Sequence, residues 1–182
     1  MNQARDAFGQ PIDRVQNKVR PFMVEWVQEF IKNSPFAVLA TSNSDGHTYA
    51  SPKGGEPGFI KVIDERRLVI PDIPGNKLFQ GYGNIESNPH IGLVFFIPGI
   101  DAVARVNGSV HVLRNGDSEY DRITAAAFTD NERKSIQQLM ILDIRESYSH
   151  CPRALVGSNL WDTAAIDANR EKSPIPKWVP GT

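Results

Sequence analysis

Two short segments of the sequence combine lysine with glycine and proline, and this combination suits a phosphate group. Ser51-Pro52-Lys53-Gly54-Gly55 and Pro74-Gly75-Asn76-Lys77 each place a lysine beside residues that permit close backbone approach. A helix beginning after Lys77 would add free backbone N–H groups, which favour anions. Taken alone, the first segment predicts a surface loop. The second is either a phosphate corner or an ordinary connection with a solvated lysine.

The second segment lies inside the stretch 68–97, around which the chain is organised. Leu68–Ile70 and Ile91–Ile97 are β-rich apolar runs bounded by Pro71 and Pro98, a pattern that predicts two buried strands. Between them, helical spacing predicts a short helix with one face formed by Leu78, Phe79, Tyr82 and Ile85.

The flanking sequence predicts more strands than helices. Residues 36–41 and 47–51 form a hairpin around an Asp45-Gly46 turn, and Asn107-Gly108 marks a bulge or bend. Pro21 is expected to open a helix whose aromatic residues face the core. Further strands are predicted at 59–63, 102–113 and 138–148, and further helices at 117–128 and from Pro152 to Gly157.

The two ends of the chain differ from its centre. Residues 1–20 are polar and predict a loosely docked N-terminal arm. Residues 163–182 form a Pro-rich tail, in which Pro174, Pro176 and Pro180 argue against a regular element. Trp178 indicates that this tail docks on another surface, such as a second subunit. The whole chain, 1–182, is expected to be a single domain.

Composition and charge exclude several function classes. A net charge of −1 gives no reason to expect nucleic acid as a partner, and the sequence has no apolar run of the roughly 20 residues that a membrane helix needs. Cys151 stands alone and no signal peptide is evident, so a cytoplasmic location is expected. The four histidines are too scattered for a metal site.

Four segments of the chain resemble the pyridoxamine 5′-phosphate oxidase-like split-barrel flavoproteins, and they occur in the same order as in that family. The resemblance covers about residues 22–162. Within the family, the chain is similar to a bacterial subgroup of FMN-dependent enzymes without assigned substrates. The four segments are FAVLATSNSDGHTYASPKG, IPDIPGNK, NPHIGLVFFIPGIDAVARVNG and HCPRALVGSNLWD.

The resemblance implies a mainly β fold, a six-stranded antiparallel split β-barrel of Greek-key type with flanking helices. It also implies a homodimer with FMN at the subunit interface. The phosphate would be held by Lys53, Asn76 and Lys77. Arg105 would lie near the site or its interface, and Trp161 would come from the partner subunit. The ribityl chain and ring would run along Tyr49, Ala50, Ser51, Ile70, Pro71 and Asp72.

The sequence departs from the family's phosphate oxidases at two places. Where those enzymes have an arginine-rich strand, this chain has ASPKGG, and Gly157 stands where the subgroup often has an arginine. Pyridoxamine phosphate is therefore not the expected substrate.

The leading hypothesis is an FMN-dependent oxidoreductase that acts on an unidentified small molecule. The alternatives are a non-enzymatic flavin- or haem-binding module and a deazaflavin-dependent reductase on the same fold. No catalytic residue is identified. His111 or His150 could supply a proton, although buried structural histidines are commoner, and Cys151 before Pro152 is expected to be packed.

Overall fold

A computed structural model of the chain describes residues 3–176 and contains one sheet of seven antiparallel strands. The sheet has one strand more than the predicted six. Its two edges are not hydrogen-bonded to each other, so the sheet does not close into a complete barrel. The strands, in the spatial order β2-β1-β5-β6-β7-β4-β3, are β1 (Phe36–Ser42), β2 (Thr48–Gly54), β3 (Lys61–Asp64), β4 (Arg67–Asp72), β5 (His90–Phe96), β6 (Val103–Arg114) and β7 (Gln138–His150).

Short helices flank the sheet, which confirms the mainly β class. None of those within residues 3–176 is long and apolar enough to span a membrane. The helices are α1 (Gln3–Phe8), α2 (Asp13–Gln16), α3 (Glu25–Lys32), α4 (Gln80–Ser87), α5 (Ser118–Ala127), α6 (Asp130–Arg133), α7 (Arg153–Gly157) and α8 (Thr163–Glu171).

The core has two parts because both faces of the sheet are partly covered. On the inner face, α3 buries Val27, Phe30 and Ile31 against strand residues such as Leu93 and Leu142. A second cluster lies under α5 and contains Val69, Leu113, Tyr120, Ile123, Phe128, Leu139 and Ile141.

Several local predictions are confirmed by the structure. The β1–β2 hairpin turns at Gly46, whose φ of 84° is accessible to glycine at little cost. The pairing of β6 with β7 shifts register between Asn107 and Gly108. A Cβ atom at Gly108 would overlap the backbone oxygen of Asp143, so this bulge requires glycine.

Pro52 was expected in a loop and Pro71 at a strand end, yet both lie within strands, whereas Pro98 follows the end of β5 as predicted. Pro52 pairs with Val38 on β2, an edge strand, where a missing N–H can face away from the ladder. Pro71 pairs with Leu139 of β7, and β3 reaches only as far as Val69 on the other side of β4. At Pro71, β4 therefore has a neighbouring strand on one side only, and a residue without an N–H group is tolerated there.

Two helices begin later than predicted. The chain before α3 is tied to the sheet, because Arg20 forms a bridge with Ser147 and the Met23 N–H donates to the Glu65 carbonyl oxygen at 2.7 Å. Trp26 was expected in the core, yet it is 44% exposed. Leu78 and Phe79 also precede α4 and are exposed, so only the later part of the predicted apolar face packs inward.

The two ends contain more regular structure than the sequence indicated. The N-terminal arm contains α1 and α2. The C-terminal segment forms α8, because the Asp162 carboxylate accepts from the Ala165 N–H and the prolines occur only after the helix ends. Cys151 is exposed, not packed. Trp178 lies outside the described residues.

Candidate functional site

A polar cleft of about 310 Å³ lies between the edge strand β2 and the connection from β4 to α4. Side chains alternate along β2, so Tyr49, Ser51 and Lys53 lie on one face, and all three are half-buried. Ser51 pairs with Leu39 of β1, which belongs to the inner face. The cleft therefore opens where the sheet fails to close.

The opposite wall of the polar cleft is the connection between β4 and α4. In this wall the Asn76 side-chain oxygen accepts the Leu78 N–H at 3.1 Å. Lys77 and Phe79 have φ values of 60° and 50°, in the left-handed region. Each such residue costs about 1 kcal/mol, and conformations of this kind cluster at sites that clamp ligands.

The charges in the polar cleft are two lysines and one aspartate. Within residues 3–176, neither Lys53 nor Lys77 forms an ion pair. Asp72 accepts a hydrogen bond from Nε2 of Gln138 at 3.0 Å. Burial and then the negative charge of Asp72 raise the pKa of Tyr82, so its hydroxyl stays protonated at neutral pH. The cleft thus offers two free cations to an anion.

A second cavity of about 240 Å³ adjoins the polar cleft and shares Lys53, Asp72 and Ile73 with it. We call it the apolar compartment. It lies between the end of β2, the end of β4 and the α5–α6 turn. Its apolar lining is Pro57, Phe59, Pro71, Ile73, Phe128 and Ile136.

The structure brings most of the predicted site residues together. The six that line the polar cleft are Tyr49, Ser51, Lys53, Asp72, Asn76 and Lys77. Pro71 lines the apolar compartment, and Ile70 beside it is buried in the core. Ala50, Arg105 and Trp161 line neither cavity. Ala50 falls outside because its position on β2 points to the opposite face of the sheet.

Arg105 lies on the opposite, outer side of the sheet. Its guanidinium is 5.6 Å from the centre of the Tyr148 ring, which Lys18 also approaches, at 5.5 Å. Within residues 3–176, the buried Nε of Arg105 and the buried Nε1 of Trp161 have no hydrogen-bond partner. Buried polar atoms normally have a hydrogen-bond partner, so these two nitrogens are exceptions to the usual pattern.

The candidate proton donors lie away from both cavities. His111 is exposed, with its Nδ1 3.9 Å from Asp143. Burial, and then the positive charges of Arg105 and Lys18, lower the pKa of His150, which lies beside Tyr148. Both histidines are exposed, contrary to the expectation of buried ones.

Sequence reasoning missed several residues that line the cavities. Met140 lies in a continuous apolar run of β7, so the sequence indicates its burial but not the face of the sheet to which it points. Nothing in the sequence pairs Phe128 and Ile136 with Phe59, because they come from three separate connections. Phe128 lies between α5 and α6, Ile136 between α6 and β7, and Phe59 before β3. That contact depends on the tertiary fold alone.

Comparison with known proteins identifies the fold. The sequence model of the family described as pyridoxamine 5′-phosphate oxidase matches residues 23–151. None of the curated proteins matches the chain.

Three crystal structures share the fold at low sequence identity. A candidate pyridoxamine 5′-phosphate oxidase from Lactobacillus delbrueckii is 22% identical over 71% of this chain and 95% of its own, with a TM-score of 0.56. HupZ from Group A Streptococcus is 15% identical over 70% and 93%, with a TM-score of 0.52. General Stress Protein 26 from Bacillus anthracis is 11% identical over 69% and 91%, with a TM-score of 0.51.

Proposed function

Because the chain belongs to the pyridoxamine 5′-phosphate oxidase family, we propose that it binds FMN in the polar cleft and acts as an FMN-dependent oxidoreductase on a small molecule. One observation carries this proposal. Lys53 and Lys77, which have no ion-pair partner in the described part of the chain, line the same cleft from opposite walls.

The residues of the cleft fit the phosphate of FMN. Two lysines match the charge of a phosphate dianion, and hydrogen bonds between charged partners are about twice as strong as neutral ones. The Asn76 side-chain oxygen is occupied by Leu78, which leaves its amide N–H₂ group free to donate. The backbone strain at Lys77 is consistent with a loop shaped for a ligand.

The polar cleft leaves room for only part of the cofactor. FMN also carries a ribityl chain and a three-ring system, and about 310 Å³ is at the lower end of ligand pocket sizes. Tyr49 and Ser51 extend the cleft along β2 and would hold the ribityl chain. A bound flavin supplies the electron-transfer chemistry, so the protein needs to bind it, orient it and exclude water.

The remaining surface for the ring would come from a second copy of the chain. On the outer face of the sheet, cross-strand pairing puts Pro52, Val38, Val94 and Arg105 in one row. Ala50, Ala40, Gly92 and Asn107 form the next row, and Phe36 pairs with Phe96 on the other side of the first row, so the face is mostly apolar. It reaches the β2 edge beside the polar cleft. A homodimer through this outer face would bring Arg105 of one subunit close to the interface.

The alternatives place different demands on the same cleft. Haem binding requires an axial ligand; among the described residues of the polar cleft no histidine or cysteine is present, and only Tyr49, Tyr82 and Met140 belong to types that ligate haem iron. A non-enzymatic flavin protein would use the same lysines, so only a redox assay separates it from an enzyme.

The absorption spectrum of the purified protein is the first test. We expect a flavin spectrum, either as isolated or after incubation with FMN, and release of FMN on denaturation. Bleaching by NADH or NADPH without oxygen, followed by recovery in air, would support the oxidoreductase. A preparation that stays colourless after incubation with FMN would contradict both flavin functions.

A further inference from the structure

The apolar compartment is separate from the proposed phosphate site but continuous with it. Lys53, Asp72 and Ile73 form the border between the two cavities. A ligand in the compartment would therefore lie next to whatever occupies the polar cleft. Its volume of about 240 Å³ is below the usual range for drug-sized ligands, which limits the occupant to a small molecule.

The walls of the compartment favour a flat, apolar ligand. Phe59 is half-buried and Phe128 almost fully buried, so both rings are held in place by the core while still contacting the cavity. Pro57, Pro71 and Ile136 contribute further rigid or branched carbon surface. Such surfaces bind planar apolar groups by dispersion and by removing them from water.

The charges around the compartment disfavour an anion. Three carboxylates line it, those of Glu56, Asp72 and Glu132, against the single cation Lys53. Glu132 is paired with Lys61, whose Nζ lies 2.7 Å from its carboxylate. Glu132 in turn also accepts from the backbone and hydroxyl of Thr129, so this ion pair is part of a closed local network. Among the described residues, the lining charges without an ion-pair partner are therefore Glu56 and Asp72 against Lys53.

We propose that the apolar compartment is the substrate pocket and that it selects a small, flat, uncharged molecule while rejecting phosphorylated ones. Its assignment to the substrate rests on the proposed function, since FMN would occupy the neighbouring cleft and engage Lys53. With Lys53 engaged, a phosphorylated ligand would meet the unpaired carboxylates of Glu56 and Asp72 and no free cation.

A matched pair of probes tests this selectivity. 2-Naphthol and 2-naphthyl phosphate share the same flat ring system and differ in the phosphate. We expect titration calorimetry on FMN-saturated protein to show the phosphate binding at least about tenfold more weakly. Equal or tighter binding of the phosphate, or no binding of 2-naphthol, would overturn the proposal.

Variants locate the binding in the compartment. Ile136→Ala removes contact surface there and should weaken 2-naphthol about fivefold. Ile100→Ala, at an exposed position in the β5–β6 turn, is the matched control and should have no effect. Ile73 is 52% exposed, so Ile73→Ala gives a second test that does not depend on the core. Unchanged binding in both compartment variants would contradict the assignment.

Glu132→Gln tests whether charge causes the selectivity. It keeps the shape of the side chain, removes one carboxylate and frees Lys61, so the difference in affinity between 2-naphthol and 2-naphthyl phosphate should become smaller. Glu171→Gln, on exposed α8, is the control. An unchanged difference in Glu132→Gln would contradict the role of the carboxylates.

Failure of this inference can be told apart from failure of the proposed function. Flavin fluorescence reports FMN binding, and the probes are titrated with and without FMN. A protein that binds FMN but shows no selectivity between the probes contradicts only the substrate pocket. A protein that shows the selectivity but does not bind FMN contradicts only the flavin function.

Discussion

At the scale of single residues, Lys53 and Lys77 are the test of the cofactor site. Each is proposed to donate to a charged phosphate oxygen, and such a bond contributes about 1.5–3 kcal/mol. Lys53→Ala and Lys77→Ala should therefore each weaken FMN binding by roughly 10- to 150-fold. Fluorescence titration of FMN measures this loss directly.

The control for this pair is Lys172→Ala, which removes an exposed lysine at the end of α8. It should leave FMN affinity unchanged. Thermal unfolding of all three variants shows whether they remain folded. If both cleft variants bind FMN as the wild type does, the phosphate does not lie between these lysines.

Glu132 provides a second residue-scale prediction, which concerns stability. The hydrogen bond from Lys61, and then that from the Thr129 backbone, lower the pKa of Glu132 from 4.5 to about 2. Because the folded pKa is the lower one, the network stabilises the protein above pH 4.5 and loses this effect as the pH falls toward 2. We expect a loss of about 1 kcal/mol, reduced from the full linkage value because the pair is partly solvated.

Urea unfolding at pH 7 and pH 3 measures this effect. Glu132→Gln should be less stable than the wild type at pH 7 and should lose less stability on acidification. Glu171→Gln, on exposed α8, is the control and should match the wild type at both pH values. A wild-type protein and a Glu132→Gln variant with parallel pH profiles would contradict the prediction.

Residue types singled out Lys53, Asn76 and Lys77 as candidates for a phosphate, but taken alone they left a surface loop and an ordinary connection open. Tyr49, Ser51 and Asp72 followed only from the family resemblance. Ala50 could have been excluded only by knowing which face of β2 it occupies. Ile136 and Phe128 carried no sequence signal, since apolar residues near a helix end are ordinary.

At the scale of elements, two glycines show different physical effects: at one the lack of a side chain is needed for packing, and at the other it only lowers helix propensity. At Gly108 a side chain would collide with the Asp143 backbone across the β6–β7 bulge. Gly83 lies inside α4, and an added Cβ there would meet no atom within 4 Å. Gly108→Ala should destabilise the protein by about 3 kcal/mol, whereas Gly83→Ala should stabilise it by about 0.5–1 kcal/mol.

Chemical denaturation measures the free energy of unfolding of both variants, and each variant acts as a control for the other. Both add one methyl group, so they differ only in what that group meets. A Gly108→Ala variant as stable as the wild type would show that the bulge can relax. A destabilised Gly83→Ala variant would mean that α4 does not tolerate a side chain there.

The sequence predicted which elements exist better than where they end. Runs of apolar residues identified β5, β6 and β7, because buried positions recur along each of these strands. Pro52 and Pro71 misled the prediction, since a proline ends a strand only where both sides need hydrogen bonds. Whether a strand has one neighbouring strand or two depends on the whole sheet, so a local sequence pattern cannot predict it.

At the scale of the whole molecule, the open edge of the sheet and its apolar outer face indicate how the site would be completed. The polar cleft lies beside β2, and the outer face extends from that same strand through Val38 and Val94 to Arg105. A second subunit on this face would bury the apolar rows and would place Arg105 at the interface.

Val94→Asp tests this assembly, because Val94 lies half-buried in the middle of the outer face between Val38 and Arg105. A carboxylate buried there by dimerisation would lose its hydration, so the variant should be monomeric in sedimentation experiments at micromolar concentration, whereas the wild type should be dimeric. FMN affinity should fall in parallel if the partner completes the site.

Val24→Asp places the same change at the exposed N-cap of α3, where aspartate is favoured, and should alter neither the oligomeric state nor the FMN affinity. A monomeric wild type, or a dimeric Val94→Asp variant, would contradict assembly through this face. A monomeric Val94→Asp variant that keeps full FMN affinity would instead mean that one chain holds the cofactor alone.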